Sequence, residues 1–165
     1  MIHREKVVRI VPVVLLILLA FSALSGLTSC SPGDVDESAA KEAFLYSLGG
    51  LMEARAALSL GREPEGATID EETGVLRLER YRYLPSERGN EADQSPRANR
   101  YTSLSGTMHT SPSGVLATVD LSGGPVTRLA FELTHAQLLA SDRVDVQVEA
   151  DGRSFAVVVL PEDLR

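Results

Sequence analysis

The sequence predicts an α+β domain in which one N-terminal helix packs on an antiparallel meander sheet of about six strands. Between Ser38 and Leu60, apolar residues recur largely at three- and four-residue spacing, as on one face of a helix. From Ala67 onward the apolar period changes to two, which is typical of half-buried strands. Short turn-like segments separate these strands, so strands adjacent in the chain are expected to be neighbours in the sheet.

The helix is expected over Ser38–Leu60, with Ser38 as its N-cap and Gly61 at its C-terminal cap. Gly49 and Gly50 fall in its middle, where each glycine costs about 1 kcal/mol relative to alanine. A glycine pair in a periodic stretch indicates either a kink or the close approach of a strand, and we favour the close approach.

The C-terminal hairpin has the clearest pattern. Apolar residues alternate with polar ones from Val144 to Glu149, and Asp151-Gly152 is suited to a two-residue type I′ turn. The expected pairs are Ala150 with Arg153, Val148 with Phe155, Val146 with Val157, and Val144 with Val159. This register places apolar pairs on one face.

The preceding hairpin is predicted to turn through a three-residue loop, Ser122-Gly123-Gly124, with a glycine bulge. A two-residue loop would pair Val119 with Arg128, and a slip of one residue moves every apolar side chain to the other face. The expected pairs are therefore Val119 with Thr127, Ala117 with Leu129, and Val115 with Phe131.

The remaining elements are read from the same two signals, alternation and turn residues. They are a strand over Val75–Leu84, a short partner strand from Ile69 joined to it by the turn Asp70–Gly74, a strand including Thr102 to Met108, the turn Ser111–Gly114, and a helical turn within His135–Ser141. The segment Pro85–Asn99 has no large aliphatic side chain, so we expect it to be mobile, with a binding loop as the alternative.

The N-terminus has the pattern of a secretory signal. Arg4, Lys6 and Arg9 precede an apolar run from Ile10 to Phe21, and small residues follow that run. An ordinary membrane-spanning helix needs about 20 apolar residues, and this run is shorter. A cleaved, soluble secreted protein is the other alternative.

The quartet Leu27-Thr28-Ser29-Cys30 resembles the lipobox of bacterial lipoproteins, and Cys30 is the only cysteine. The resemblance implies cleavage after Ser29 and a lipid on Cys30. It divides the chain into a signal peptide (1–29), a lipidated cysteine with a short tether (30–37), and one domain (38–165). It also implies a cell-envelope location. Ser31 stands where an aspartate commonly marks inner-membrane retention, which favours the outer membrane in a double-membraned organism.

Composition excludes several classes of function. The signal segment carries three basic residues and one acidic residue, so the net charge of −7 for the whole chain becomes −9 for the 136 residues that remain without it. This charge argues against nucleic-acid binding, which needs a cationic surface, and against electrostatic docking on anionic headgroups. With Cys30 lipidated, no disulfide is available, so stability must come from packing.

No motif indicates catalysis, a cofactor or a metal. His109 and His135 are the only histidines after the signal segment, and neither lies in a zinc-ligand spacing. Ser38-Ala39-Ala40-Lys41 matches Ser-x-x-Lys, but Lys41 is the only lysine after the signal segment and the companion Lys-Thr-Gly is missing. Asp70-Glu71-Glu72 is interpreted as a solvated turn because it lacks the alternating ligands of a calcium loop. We expect a protein that is not an enzyme.

Three arginines form a candidate patch for an anionic partner: Arg77, Arg80 and Arg82. Strand alternation places Arg80 and Arg82 on the face of Leu78 and Leu84, and Arg77 on the opposite face with Tyr81 and Tyr83. The alternative is an edge strand whose charges prevent aggregation.

The sequence thus predicts a lipid-anchored envelope protein with a non-enzymatic binding or scaffolding role, for which another envelope protein is the expected kind of partner. Two alternatives stay open. One is a carrier that encloses an apolar, lipid-like ligand between helix and sheet, which rests on fold analogy. The other is an envelope hydrolase that uses His109 or His135.

Overall fold

The structure is a computed structural model that describes residues 35–85 and 100–164. Cys30, the signal segment and almost all of Pro85–Asn99 lie outside the described residues, so the predictions made for them stay predictions. The elements are α1 (Glu37–Ser59), β1 (Ala67–Ile69), β2 (Leu76–Tyr81), β3 (Ser103–Ser111), β4 (Gly114–Ser122), β5 (Arg128–Thr134), α2 (His135–Leu138), β6 (Val144–Ala150), β7 (Arg153–Val159) and a 3₁₀ turn (Pro161–Leu164).

The fold is α+β, with one long helix and a single antiparallel sheet in the order β1-β2-β3-β4-β5-β6-β7. The described sheet has seven strands, so the expected count of about six was wrong. The shortest strand, β1, pairs with β2 at only three positions, from Ala67 with Leu78 to Ile69 with Leu76. The short partner strand expected from Ile69 is β1, which ends at Ile69 instead of beginning there.

The long helix begins one residue earlier than predicted, and its N-cap is Asp36 rather than Ser38. The Asp36 carboxylate accepts a hydrogen bond of 2.7 Å from the Ala39 N–H, which satisfies one of the free donors of the first turn. At the other end Gly61 has φ +71°. Its N–H donates to Leu58 and the N–H of Arg62 donates to Ala57, so Gly61 ends the helix in a Schellman motif as expected.

The sheet curls around the helix. α1 contacts β1, β2 and β3 at one end of the sheet and β6 and β7 at the other. Between them, Phe44 of α1 packs edge-on against Phe131 of β5, with ring centroids 4.9 Å apart. One continuous hydrophobic core therefore lies between the helix and the concave face of the sheet.

The glycine pair in α1 marks a close approach, as predicted, and the approaching groups are side chains. A Cβ on Gly49 would lie 2.5 Å from the Tyr83 hydroxyl oxygen, and one on Gly50 would lie 2.9 Å from a Leu104 methyl carbon. Both separations are too short for real contacts. The helix can approach the β2–β3 part of the molecule only because these two positions have no side chain.

The β6–β7 hairpin confirms its predicted register, from Ala150 opposite Arg153 to Val144 opposite Val159. Asp151 and Gly152 both have positive φ, +48° and +78°, as a type I′ turn requires.

The β4–β5 register was wrong by two residues. Val119 lies opposite Leu129 instead of Thr127, and the connection spans residues 123–127. Tertiary contacts explain the wider loop: Val126 is fully buried, and the Asp151 carboxylate accepts hydrogen bonds from the N–H and hydroxyl of Thr127. A shift of two keeps the same side chains on the core face, so the predicted faces were right.

The other turns agree with the sequence pattern. Residues 112 and 113 connect β3 to β4, with Ser111 paired to Gly114. The turn over Asp70–Gly74 joins β1 to β2, where the Asp70 carboxylate accepts from the N–H groups of Glu72 and Thr73. α2 falls within the predicted His135–Ser141.

Candidate functional site

A β-bulge in β2 determines where the arginines lie. Leu78 pairs with Gly106 and Tyr81 pairs with Leu104, so two residues of β2 face the single Ser105 of β3. Arg80, the second of the two, has φ +50°, which is unusual for a residue with a long side chain. Its N–H donates a 2.9 Å hydrogen bond to the Ser105 hydroxyl. The bulge thus places one arginine in a strained conformation that a neighbouring strand supports.

The extra residue corrects the predicted faces. Alternation placed Leu78 and Tyr81 on opposite faces, but both are buried in the core, at 5% exposure each. Arg77, Arg80 and Arg82 are all exposed. The prediction failed because the bulge inserts one residue between Leu78 and Tyr81 and so reverses the alternation beyond it.

The strand also ends earlier than the predicted Val75–Leu84. β2 stops at Tyr81, and the chain leaves the sheet through Arg82 to Pro85. β2 is flanked by β1 and β3 and is not an edge strand, but β1 covers it only as far as Leu78. Beyond Leu78, one further backbone hydrogen bond joins β2 to the residue before β1, from the Glu79 N–H to the Gly66 carbonyl.

Beside this segment lies an open cleft of about 490 Å³. It is lined by Arg80, Arg82, Tyr83, Leu84, Tyr101, Thr102 and Ser103. The lining comes from the end of β2 and the start of β3, on the two sides of residues 86–99. Leu84 is 79% exposed, so the cleft offers an apolar surface next to two guanidinium groups. Arg77 does not line it.

Tyrosine rings pack beneath the cleft. The Tyr46 ring of α1 lies 5.4 Å from the Tyr83 ring and 5.2 Å from the Tyr101 ring, measured between centroids. The Tyr46 hydroxyl donates to the Tyr83 carbonyl at 3.3 Å. On the far side, a Cβ on Gly124 would overlap the Tyr101 ring. The rings are thus held by the helix on one side and by the β4–β5 loop on the other.

Burial sets the electrostatics of this tyrosine group. It raises the pKa of Tyr101 to about 12, with the nearby carboxylate of Glu42 adding to the effect. Burial also raises the pKa of Tyr46 and of Tyr83. The pKa of Tyr81 is raised further, first by burial and then by the hydrogen bond that its hydroxyl donates to Glu53 at 2.7 Å. The tyrosines are therefore neutral hydrogen-bonding groups near neutral pH.

Three buried side-chain atoms lack a hydrogen-bond partner among the described residues: Glu42 Oε1, Ser47 Oγ and the Tyr101 hydroxyl. The Tyr101 hydroxyl lies near the backbone of Val126 but makes no hydrogen bond of good geometry with it. A buried hydroxyl without a partner costs free energy, so the placement of Tyr101 lowers the stability of the fold.

The arginines of the cleft are not neutralised by the ion pairs seen within residues 35–85 and 100–164. Those pairs join Lys41 to Asp163, Arg128 to Asp120, and Arg143 to Asp145. No carboxylate, histidine or cysteine is among the described lining residues. The described lining of the cleft can therefore attract an anion.

The other candidate residues lie elsewhere. His109 is exposed on β3 and His135 opens α2, and neither lines the cleft. Ser38 is exposed in the first turn of α1, while Lys41 is paired to Asp163 at 2.7 Å. The Asp70 carboxylate has its pKa lowered, chiefly by the N–H of Thr73, and serves the turn. In the described parts of the chain, no three potential ligands converge on a metal position.

Sequence reasoning named the arginines and placed Leu84 on the face of Arg80 and Arg82. It missed the other lining residues, which are Tyr83, Tyr101, Thr102 and Ser103. The bulge that brings these residues together depends on Ser105, which lies 25 positions from Arg80, and no local pattern signals it. Comparison with protein-family models, curated proteins and solved structures found no match to this chain. None of the helices in the described ranges has the length and apolar character to cross a membrane.

Proposed function

We propose that this chain is a lipid-anchored cell-envelope protein that binds an anionic partner in the arginine-lined cleft without catalysing a reaction. The observation that carries the proposal is the β2 bulge. It directs Arg80 and Arg82 to one cleft whose other walls are tyrosine and leucine side chains.

The ligand class follows from the lining. Guanidinium groups bind carboxylate and phosphate oxygens through paired N–H donors. Tyr83, Tyr101 and Leu84 add apolar surface beside these donors. The volume falls in the range of small-molecule sites, about 300–1,000 Å³. The expected partner is therefore an envelope molecule that carries a carboxylate or phosphate next to an apolar or aromatic group.

The anchor rests on Leu27-Thr28-Ser29-Cys30. Each buried methylene contributes about 0.8 kcal/mol to membrane binding, and a single acyl chain binds only reversibly. Two or three chains on Cys30 would hold a domain that has a net charge of −9 without help from headgroup electrostatics. Ser31 after the cysteine favours the outer membrane where there is one.

The carrier alternative is less well supported. Phe44 contacts Phe131 across the interface between helix and sheet, and Gly50 brings α1 against Leu104. An apolar ligand in that interface would have to displace these contacts. The hydrolase alternative gains no support from the cleft, because neither His109 nor His135 lines it.

Phenyl phosphate, which joins a phosphate to an aromatic ring, is a direct probe of the cleft. We expect it to shift the amide resonances of Thr102 and Ser103 in the ¹⁵N-labelled, detergent-solubilised protein. The double variant Arg80→Gln/Arg82→Gln should weaken binding at least tenfold. Arg77→Gln removes an exposed arginine of the same strand that does not line the cleft, and it should leave binding unchanged.

Equal loss of binding in Arg77→Gln and in the double variant would indicate nonspecific attraction to positive charge and would contradict the proposal. Binding that is unchanged in both would place the probe elsewhere and would also contradict it.

The anchor is tested separately by metabolic labelling with a radioactive fatty acid. We expect label on the full-length protein and its loss in Cys30→Ala. Label that persists in Cys30→Ala would exclude the lipidation of this residue and leave the cleft proposal to be judged by its own experiment.

A further inference from the structure

The last strand of the sheet has an open edge. β7 pairs with β6 on one side, and the described residues supply no strand on the other. The two-residue turn at Asp151 and Gly152 closes on the pair Ala150–Arg153, which in such a hairpin exchanges both backbone hydrogen bonds. Hydrogen-bonded pairs then alternate along β7, so Ser154, Ala156 and Val158 direct their N–H and C=O groups away from β6.

These outward groups have no backbone partner in the part of the chain that the structure describes. Ser154 and Ala156 are exposed and Val158 is half-buried. An edge of this kind is a template for another strand.

The two edges of the sheet differ in their protection. β1 has three residues and leads into the acidic turn Asp70-Glu71-Glu72, and both features discourage pairing. β7 has seven residues, of which only the first, Arg153, is charged, and it contains no proline. Among the described residues, β7 therefore has neither the charged side chains nor the proline that protect an edge strand against pairing.

We propose that β7 pairs antiparallel with β7 of a second copy of this chain, about a two-fold axis that passes through Ala156. In this register Ala156 faces Ala156 of the partner subunit, and Ser154 faces Val158 of the partner subunit. At these facing positions the backbone groups of both strands point outward, so every outward N–H meets a C=O.

A second copy fits this edge better than a peptide of strong charge. The facing side chains are small or apolar and uncharged, and the small alanine at the centre lets the strands approach on the axis. Arg153 faces Val159 of the partner subunit, so no two like charges meet. The inference does not depend on the arginine-lined cleft, which lies beside β2 and β3.

Disulfide trapping tests the register, because hydrogen-bonded antiparallel partners have Cα atoms about 5.5 Å apart, within the range that a disulfide spans. The experiment uses the full-length protein in native membranes under a mild oxidant. We expect Ala156→Cys to give a covalent dimer, and Ser154→Cys or Val158→Cys alone to give little. Co-expression of Ser154→Cys with Val158→Cys should restore the dimer. The unmodified protein reports any background from Cys30.

A second pair of variants separates strand pairing from chance collision. Ala156→Pro removes an N–H that β6 does not use, a position where an edge strand tolerates proline. Added to the Ser154→Cys and Val158→Cys chains, it should reduce the dimer at least tenfold, whereas Ala156→Ser should preserve it. Equal yields from all three single cysteines, or no dimer from Ala156→Cys, would overturn the proposal.

Discussion

The two sides of the core differ in chemistry. The apolar side comprises Phe44, Phe131 and the buried valines of β6 and β7, which are Val146, Val148, Val157 and Val159. The tyrosine side comprises Tyr46, Tyr81, Tyr83 and Tyr101, which include every tyrosine of the chain. The residues named on the apolar side have no polar side-chain atom, while each residue named on the tyrosine side has a phenol hydroxyl, and Tyr83 is only partly buried.

Under the proposed function, this difference separates stability from binding. On the apolar side, regular strands and a tight turn give contacts whose contribution to stability scales with the buried apolar area. On the tyrosine side, the chain carries a bulge, an arginine with φ +50° and a buried hydroxyl without a partner. Strained and unsatisfied groups persist where the surrounding structure compensates for them, and they cluster at functional sites. The arginine-lined cleft lies on this side.

The largest expected effect comes from breaking the apolar side. Phe44→Ala removes a ring that is 1% exposed and packs against Phe131. We expect the free energy of unfolding to fall by about 3–5 kcal/mol, the usual cost of such a cavity. Urea unfolding followed by circular dichroism measures it.

Met52→Ala is the matched control, since Met52 lies on the same helix and is 47% exposed. It should cost less than about 1 kcal/mol. A similar loss in both variants would mean that the core contact does not carry the stability assigned to it.

The contrast between the two sides also decided what could be predicted from the sequence. The β6–β7 register follows from alternation and the Asp151-Gly152 turn, which are local signals within about sixteen residues. The predicted helix differs from α1 by one residue at each end. The N-cap is Asp36, two residues before the predicted Ser38, because the Asp36 carboxylate accepts the hydrogen bond from the Ala39 N–H.

In the parts of the fold that were predicted wrongly, the local structure depends on contacts between residues that are far apart in the sequence. The bulge at Arg80 is supported by Ser105, and the β4–β5 loop is held by Asp151, 24 positions from Thr127. No local sequence pattern predicts either contact. The arginines and their neighbour Leu84 could be named from the sequence, but the tyrosine walls of their cleft could not.

The deprotonation of tyrosines at alkaline pH should act on the tyrosine side. The pKa of Tyr101 in the folded protein is about 12, above its ordinary value of 10.0, and the pKa values of the other three tyrosines are raised as well. The folded protein therefore binds phenolic protons more tightly than the unfolded chain. Stability should be constant below about pH 10 in this respect and fall as the pH rises through about 12. Urea unfolding at a series of pH values measures the slope.

Two variants localise this effect. Tyr101→Phe should make the decline with pH shallower, because it removes one of the shifted groups. Val148→Ala should lower stability by a similar amount at every pH, since it adds and removes no proton. If the free energy of unfolding of Tyr101→Phe fell with pH as steeply as that of the unmodified protein, the burial of Tyr101 would not be the cause of the alkaline sensitivity of the protein.

The smallest expected effect is a difference in the free energy of unfolding between two tyrosine-to-phenylalanine variants on the tyrosine side. Tyr81→Phe loses the 2.7 Å hydrogen bond to Glu53, and we expect a loss of about 1 kcal/mol at neutral pH. Tyr101→Phe removes a hydroxyl that has no partner among the described residues. It should therefore be neutral or stabilise the protein by up to about 1 kcal/mol. Both changes keep the aromatic ring, so the difference in their free energies of unfolding isolates the hydroxyl groups.

The sign of that difference bears on the cleft, because the Tyr101 ring lines it while its hydroxyl points into the core. If Tyr101→Phe is stabilising and phenyl phosphate still binds, the ring of Tyr101 is sufficient for binding in the cleft. The buried hydroxyl then only lowers the stability of the protein. If Tyr101→Phe instead destabilises as much as Tyr81→Phe, the hydroxyl has a partner in the folded protein. The tyrosine side would then be as well satisfied as the apolar side, and the separation of stability from binding would fail at this residue.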